Sequence, residues 1–369
     1  MAETAKCDVL IIGAGVMGCS CALRLLQKGL RVTLLERAVP GAESSAAAAG
    51  ILGAQSEVAQ AGPFLELCLA SRALYRSFAQ EITQISGVDV GYEDSGVLEV
   101  VTEPGEGRIA VSRAEWMMER GLRVEILDRS DARALEPALA EHILGANYYP
   151  DDHQVDPDKL GRGLTAAVAS LGGSFLSGRT VTGLLSQGEH VSGVATAEGP
   201  LYAGAVVMAA GAWTTRLASL PSLRTTIKPM AGQIVQVESR PAFFRHVVYG
   251  YKGYIVPRRD GRVLLGSTLE DRGFDKAVTA EGLHRITGMG MSLVPGLAHC
   301  RFVTAWSGLR PATADGLPML GGGPLTGLYF ASGHYRNGIL LAPVTAEVIT
   351  DLVVDGHTRH SVAAFSPAG

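Results

Sequence analysis

The stretch Cys7–Glu36, CDVLIIGAGVMGCSCALRLLQKGLRVTLLE, restricts the fold more than any other part of the chain. A short apolar run, Val9–Ile12, meets Gly13, Ala14 and Gly15. A helical pattern with Gly18 inside it follows, then a second apolar run, Arg31–Leu35, and an acid, Glu36. Strand, glycine turn, helix, strand, acid is the context that a dinucleotide-binding unit requires. Gly13 permits the tight turn, Gly15 lets backbone approach a pyrophosphate, and Gly18 lets helix and strand pack closely. The helix N-terminus offers N–H donors and a positive dipole end to phosphates. Glu36 stands 21 positions after Gly15, where a carboxylate accepts hydrogen bonds from ribose hydroxyls. A negative charge there would repel a 2′-phosphate, so NADP is disfavoured; FAD and NAD both remain open.

A chain of 369 residues suggests two domains. With 47% hydrophobic and 18% charged residues it has ample material for a core and does not read as disordered. The net charge of −4, with no basic block, argues against a nucleic-acid partner. Cys7, Cys19, Cys21, Cys68 and Cys300 form no CxxC pair and no metal spacing, which fits a reduced, cytoplasmic setting. The glycine turn interrupts the N-terminal apolar run, so it reads as a nucleotide-binding strand rather than a secretion signal. No uninterrupted apolar stretch reaches the roughly 18 residues of a transmembrane helix.

Further along, SSAAAAGILGA admits two readings: a loop of small residues against which something large passes, or a helix start capped by Ser44 or Ser45. Leu65, Leu69, Leu74, Phe78 and Ile82 mark one face of a long helix ending near Gly87. VDVGYEDSGVLEVV reads as strand, turn at Asp94–Gly96, strand, and a helix around Ile109–Arg120 leads to the strand LRVEILD. LGANYYPDDHQVDPDKL is polar and turn-rich, a crossing between domains, with Pro157 opening the helix Asp158–Ser170. Strands and hairpins follow, ending in the apolar run Ala205–Gly211, a buried parallel strand that delivers Ala210–Trp213 to the sheet's carboxyl edge. GQIVQVE and a hairpin around Asp260–Gly261 precede the helix Thr279–Leu293. The strand Leu328–Ala331 and the helix Thr345–Val354 complete the nucleotide domain.

Three polar residues stand in small or apolar settings: Tyr254 in YIVPR, Arg310 in GLRPATADG and Arg336 in GHYRNGILLAP. A guanidinium fork matches a carboxylate bidentately, more strongly in a low dielectric. The alternative is a structural arginine satisfied by carbonyls or by an internal acid such as Asp315; a strand tyrosine is ordinarily core or rim. His153, His246 and His334 are candidate acids or bases, with a structural histidine as the plainer reading of each.

Taken in order, IIGAGVMG, SSAAAAGILGAQSE, SGVD, YIVPRRDGRVLLGST, WSGLRPATADGLPMLG and GHYRNGILLAP make the chain resemble the D-amino-acid-oxidase superfamily of flavoproteins. It is most similar to the glycine oxidases of bacterial thiazole (thiamin) biosynthesis, over essentially its whole length. The resemblance implies an α/β fold: a Rossmann-like FAD-binding domain interleaved with an α+β substrate-binding domain built on an antiparallel sheet. The implied division is 1–86, 151–220 and 303–369 for FAD, and 87–150 and 221–302 for substrate.

It also selects non-covalent FAD over NAD. Adenosine and pyrophosphate contacts fall on Gly13, Gly15, Gly18 and Glu36, with Val16, Met17 and Arg37 also among the implied cofactor-binding residues. Ser44, Ser45, Ala48, Gly50 and Ile51 run beside the flavin, with Val181 near the adenine and Gly211 and Trp213 by the cofactor. His334, Arg336 and Asn337 lead to Gly338, Ile339 and Leu340, which hold the pyrimidine edge at a helix N-terminus, where a dipole stabilises the anionic reduced flavin. The implied carboxylate clamp is Arg310 and Tyr254, with Arg336 at the pocket mouth.

The implied reaction is hydride transfer from the substrate Cα to flavin N5, from an amine kept neutral by an apolar pocket. Glycine, sarcosine or D-alanine would yield an imine, hydrolysed to glyoxylate and ammonia or passed to thiazole synthase, while O2 becomes peroxide. Ile51, an implied substrate-binding residue, replaces a methionine that faces the substrate in related enzymes, which leaves the size preference open, and no counterpart of a flavin-linking cysteine is present. The alternatives are a sarcosine or broader D-amino-acid oxidase or quinone-reducing dehydrogenase, and, from another class, a non-catalytic flavin-binding assembly or redox-sensing protein. The related enzymes imply a homotetramer, with no membrane partner.

Overall fold

The computed structural model describes residues 7–217 and 226–367. The first strand, β1 (Val9–Ile12), is wholly buried and meets the first helix, α1 (Val16–Gln27), across the glycine turn. Its neighbour β2 (Val32–Glu36) pairs with it in parallel, Val9 opposite Val32 and Ile12 opposite Leu35. Ala205–Met208 flanks β1 on the other side, also in parallel. Leu328–Ser332 and an antiparallel edge, Met319–Gly322, extend the sheet beyond it, and Ser174–Ser177 closes the end beyond β2. Both faces of such a sheet are covered, which is why its strands read as unbroken apolar runs.

A second, eight-stranded sheet is antiparallel except where Val247–Gly250 runs parallel to Val97–Val101. One edge strand is the long Arg301–Ala312, paired along its length with Lys228–Glu238. Its own apolar cluster includes Leu98, Val235, Ile255 and Leu265. The chain is therefore an α/β protein whose sheets are interleaved in sequence. A two-stranded antiparallel ribbon pairs β3 (Ile51–Leu52) with His153–Gln154. The helix α2 (Pro63–Ser86) ends as expected at Gly87, whose φ of +72° is a left-handed cap. The expected domain boundary between 220 and 221 lies outside the described residues.

The structure refines four local readings. Val88–Glu93 is not a strand: Gly91 has φ +66° and gives its N–H to Asp89 Oδ1 (2.9 Å), so the run turns and forms a β-bridge at Glu93 alone. The alanine-rich segment before Gly50, left open between a small-residue loop and a helix start, is a series of turns. In the polar stretch expected to cross between domains, Gly145–Tyr149 is an inner strand of the large sheet, Asp152 is fully buried, and the chain then leaves that sheet for the helix Pro157–Ser170. The last helix spans Gly338–Val354, seven residues earlier than expected, because Ile339–Val344 is buried and that burial outweighs the hydrogen bond lost at Pro343.

Candidate active site

One elongated cavity, with about 1740 Å³ of free space counting its open mouth, runs from the glycine turn to the inner end of the large sheet. At the first end, Gly13 adopts φ +101°, and a Cβ there would stand 2.5 Å from the Ala209 carbonyl oxygen. Gly15 caps α1 and faces the cavity, with Val16 and Met17 beside it. The Glu36 carboxylate accepts the backbone N–H groups of Ala14 (3.1 Å) and Ala38 (3.0 Å), which holds it at the carboxyl end of β2. Arg37 lies 3.9 Å from the Trp213 ring centroid and pairs with Glu43 at 2.5 Å. Val181 and Gly211 line the same end.

The small-residue loop forms the middle wall. The Ser45 hydroxyl accepts the Val16 N–H at 2.9 Å, Ser44 donates to the Leu309 carbonyl, and Trp306 Nε1 donates to the Ala47 carbonyl at 3.2 Å. Ala48, Gly50 and Ile51 complete it. A Cβ at Gly50 would stand 2.0 Å from the Val155 carbonyl, so the loop backs directly onto the chain behind it. Opposite, the last helix presents Gly338 and Ile339 at its N-terminus. Two helix N-termini thus open on one cavity that carries a carboxylate at one end. This donor arrangement suits a bound dinucleotide with two phosphates and a second, ring-bearing half.

At the far end stand Tyr254, Arg310 and Arg336. The Arg310 guanidinium donates to Ser267 Oγ (2.7 Å) and the Thr268 carbonyl (3.4 Å), both neutral groups, so its charge stays available to an anion. Tyr254 is buried, and Arg336 lines the cavity while remaining exposed. His334 also lines the cavity, bonded through Nε2 to Thr345 Oγ1 at 2.9 Å, and burial pushes its pKa down to about 3, which keeps the ring neutral.

Three of the expected residues do not face the cavity. Gly18 supports it from behind, since a Cβ there would lie 2.0 Å from the Gly13 carbonyl. Asn337 is buried just before the last helix, and the Leu340 carbonyl is taken by the Ser71 hydroxyl at 2.6 Å. His153 and His246 lie outside the cavity lining, bonded to Tyr92 (2.5 Å) and Glu136 (3.0 Å). Two site residues escape the sequence reading. Glu57 lines the cavity, and Tyr249, buried beside Tyr254 with ring centroids 5.8 Å apart, donates its hydroxyl to Glu57. The available signal was an acid closing the otherwise small and apolar AAAAGILGAQSE.

A family described as FAD dependent oxidoreductase (DAO) matches residues 8–352. The chain is 37% identical over 367 residues to a glycine oxidase of Geobacillus kaustophilus, covering 98% of this chain and 97% of that protein. A crystal structure of glycine oxidase from Geobacillus kaustophilus superposes with a TM-score of 0.95 at 36% identity, over 98% of each chain. A bifunctional protein ThiO/ThiG of Synechocystis sp. is 38% identical over 362 residues, 98% of this chain and 53% of that protein. The chain therefore spans about half the length of this relative.

Proposed function

The chain belongs to the family of FAD-dependent oxidoreductases, and from that premise we propose that it oxidatively deaminates glycine and small related amines such as sarcosine and D-alanine. The observation that carries this reading is the placement of Arg310 and Tyr254 in the same cavity as the glycine turn, with Arg310 bonded to neutral groups. The Geobacillus glycine oxidase, similar over nearly its whole length, supports the substrate class.

When bound, FAD supplies the two-electron acceptor for the amine. Gly13, Gly15, Val16, Met17, Glu36, Arg37 and Val181 would hold its adenosine and pyrophosphate half. Ser44, Ser45, Ala48, Gly50, Ile51, Gly211, Trp213, His334, Gly338 and Ile339 would hold the other half, with Gly18, Asn337 and Leu340 shaping these walls from behind. The protein's own part is orientation. Arg310 takes the substrate carboxylate as a charged fork and the Tyr254 hydroxyl adds a donor, so the Cα is fixed in position. Ile51 adds an apolar wall, and the amine reacts in its neutral form. Glycine, O2 and water then give glyoxylate, ammonia and hydrogen peroxide.

The two sheets support a division into an FAD-binding unit (1–86, 151–220, 303–369) and a substrate unit (87–150, 221–302), with the strand Arg301–Ala312 running across the last boundary. The ThiO/ThiG relative supports a role in supplying thiazole synthase, in the cytoplasm. A homotetrameric assembly completes the reading. Peroxide formation measured with glycine, sarcosine, D-alanine and D-proline tests it: turnover of the first two is expected, and negligible turnover of both overturns it.

A further inference from the structure

The end of the cavity that holds Arg310 also carries a carboxylate that the proposed reaction does not use. Glu57 lines the wall with Tyr254, Arg310 and Arg336. Its backbone is held from behind: Gln55 and Ser56, just before it, give their N–H groups to Asp152 at 3.1 and 2.7 Å, and Arg72 pairs with Asp152 at 3.0 Å. The Tyr249 hydroxyl fixes the side chain. Burial pushes the Glu57 carboxyl up, while Arg336, the Tyr249 hydroxyl and Arg310 oppose that rise. Glu57 is in turn the main influence raising the pKa of Arg336.

Arg310 and Arg336 bring two positive charges to this end and Glu57 brings one negative. A substrate with one carboxylate on Arg310 leaves the set balanced. A second carboxylate near Arg336 would also enter the field of Glu57, which lines the same wall. The geometry points to Glu57 as the residue that restricts this site to amines bearing a single carboxylate, by denying a second anion the charge of Arg336. The assignment rests on Arg310 being the carboxylate clamp of the proposed oxidase.

Two matched pairs test it on the FAD-loaded enzyme. Sarcosine and iminodiacetate differ by one carboxylate and are read by peroxide formation. Methoxyacetate and diglycolate, their unreactive ether counterparts, are read by perturbation of flavin absorbance. In Glu57→Gln, kcat/KM for iminodiacetate relative to sarcosine should rise by about tenfold or more, the scale of one charge-assisted hydrogen bond. The Kd of diglycolate relative to methoxyacetate should fall by a similar factor. Adding Arg336→Gln should abolish both gains, and Glu57→Ala carries the same test where the amide variant does not retain FAD. Unchanged ratios, or a gain that survives removal of Arg336, would overturn the inference. If the wild-type enzyme oxidises neither glycine nor sarcosine, the proposed function fails, and the ether pair still decides the role of Glu57.

Discussion

Arg310 occupies the space above Gly232: a Cβ on that glycine would stand 1.9 Å from Nη1 of the guanidinium. Arg310 pairs in register with Met230, so Gly232 is its diagonal neighbour on the adjacent strand. Tyr254 repeats the relationship with its register partner Gly266, where a Cβ would come within 2.6 Å of the ring. Each residue of the proposed clamp lies over a glycine on a neighbouring strand.

Gly232→Ala should therefore impair glycine binding without touching the cofactor. Arg310→Ala sets the ceiling, a rise in KM of about tenfold to hundredfold for the loss of charge-assisted hydrogen bonds. Gly232→Ala should raise KM in the same direction, with flavin content unchanged. Steady-state kinetics with glycine checks this, and a wild-type KM in either variant refutes the clamp.

The glycines of the first turn should separate by what fails. A Cβ at Gly18 meets the Gly13 carbonyl at 2.0 Å, backbone against backbone, whereas at Gly15 the nearest atom is Ser45 Oγ at 3.1 Å. Gly18→Ala should destabilise the apoprotein by about 1–3 kcal/mol or more through overpacking. Gly15→Val should fold, with its side chain in the cavity, and purify colourless. Thermal unfolding of the apoproteins together with flavin absorbance distinguishes the two.

Asp152 has no exposed side-chain surface and accepts from Gln55, Ser56 and Arg72. Its replacement by alanine leaves Arg72, itself mostly buried, without its counter-charge, a loss of about 3–5 kcal/mol. Denaturant unfolding of Asp152→Ala measures it, and a change below about 1 kcal/mol would show that water reaches this cluster.

His334 makes stability depend on acid. Burial lowers its pKa from 6.5 to about 3, so between those values the unfolded chain binds a proton that the folded chain does not. Stability from this group is complete above pH 6.5 and falls as the pH drops toward 3. The loss reaches about 2 kcal/mol near pH 5. Apoprotein unfolding measured near neutrality and near pH 5 should show this dependence, and His334→Gln should remove that share.

Much of the scaffold was legible because its signals are local. The turn at Gly13, the stop of α2 at Gly87 and the helix opening at Pro157 each depend on a few adjacent residues. Arg310, Tyr254 and Arg336 stood out because charge and hydroxyl groups are unusual among glycines and alanines. Val88–Glu93 misled because its alternation is that of a strand, while Gly91 and Asp89 close a turn within it. Gly232 beneath Arg310, Tyr249 beside Glu57 and Asp152 behind it depend on register between segments far apart in sequence. No local pattern carries that information.

The cavity takes one wall from the first strand and another from the last helix, roughly 300 positions later. Cofactor affinity is on this account a property of the whole chain. Any molecule that occupies the cavity contributes its binding free energy to the folding equilibrium of both sheets, about 2.7 kcal/mol at a hundredfold excess over Kd. Flavin retention then works as a clasp between the two ends, and its release under denaturant should coincide with global unfolding rather than precede it.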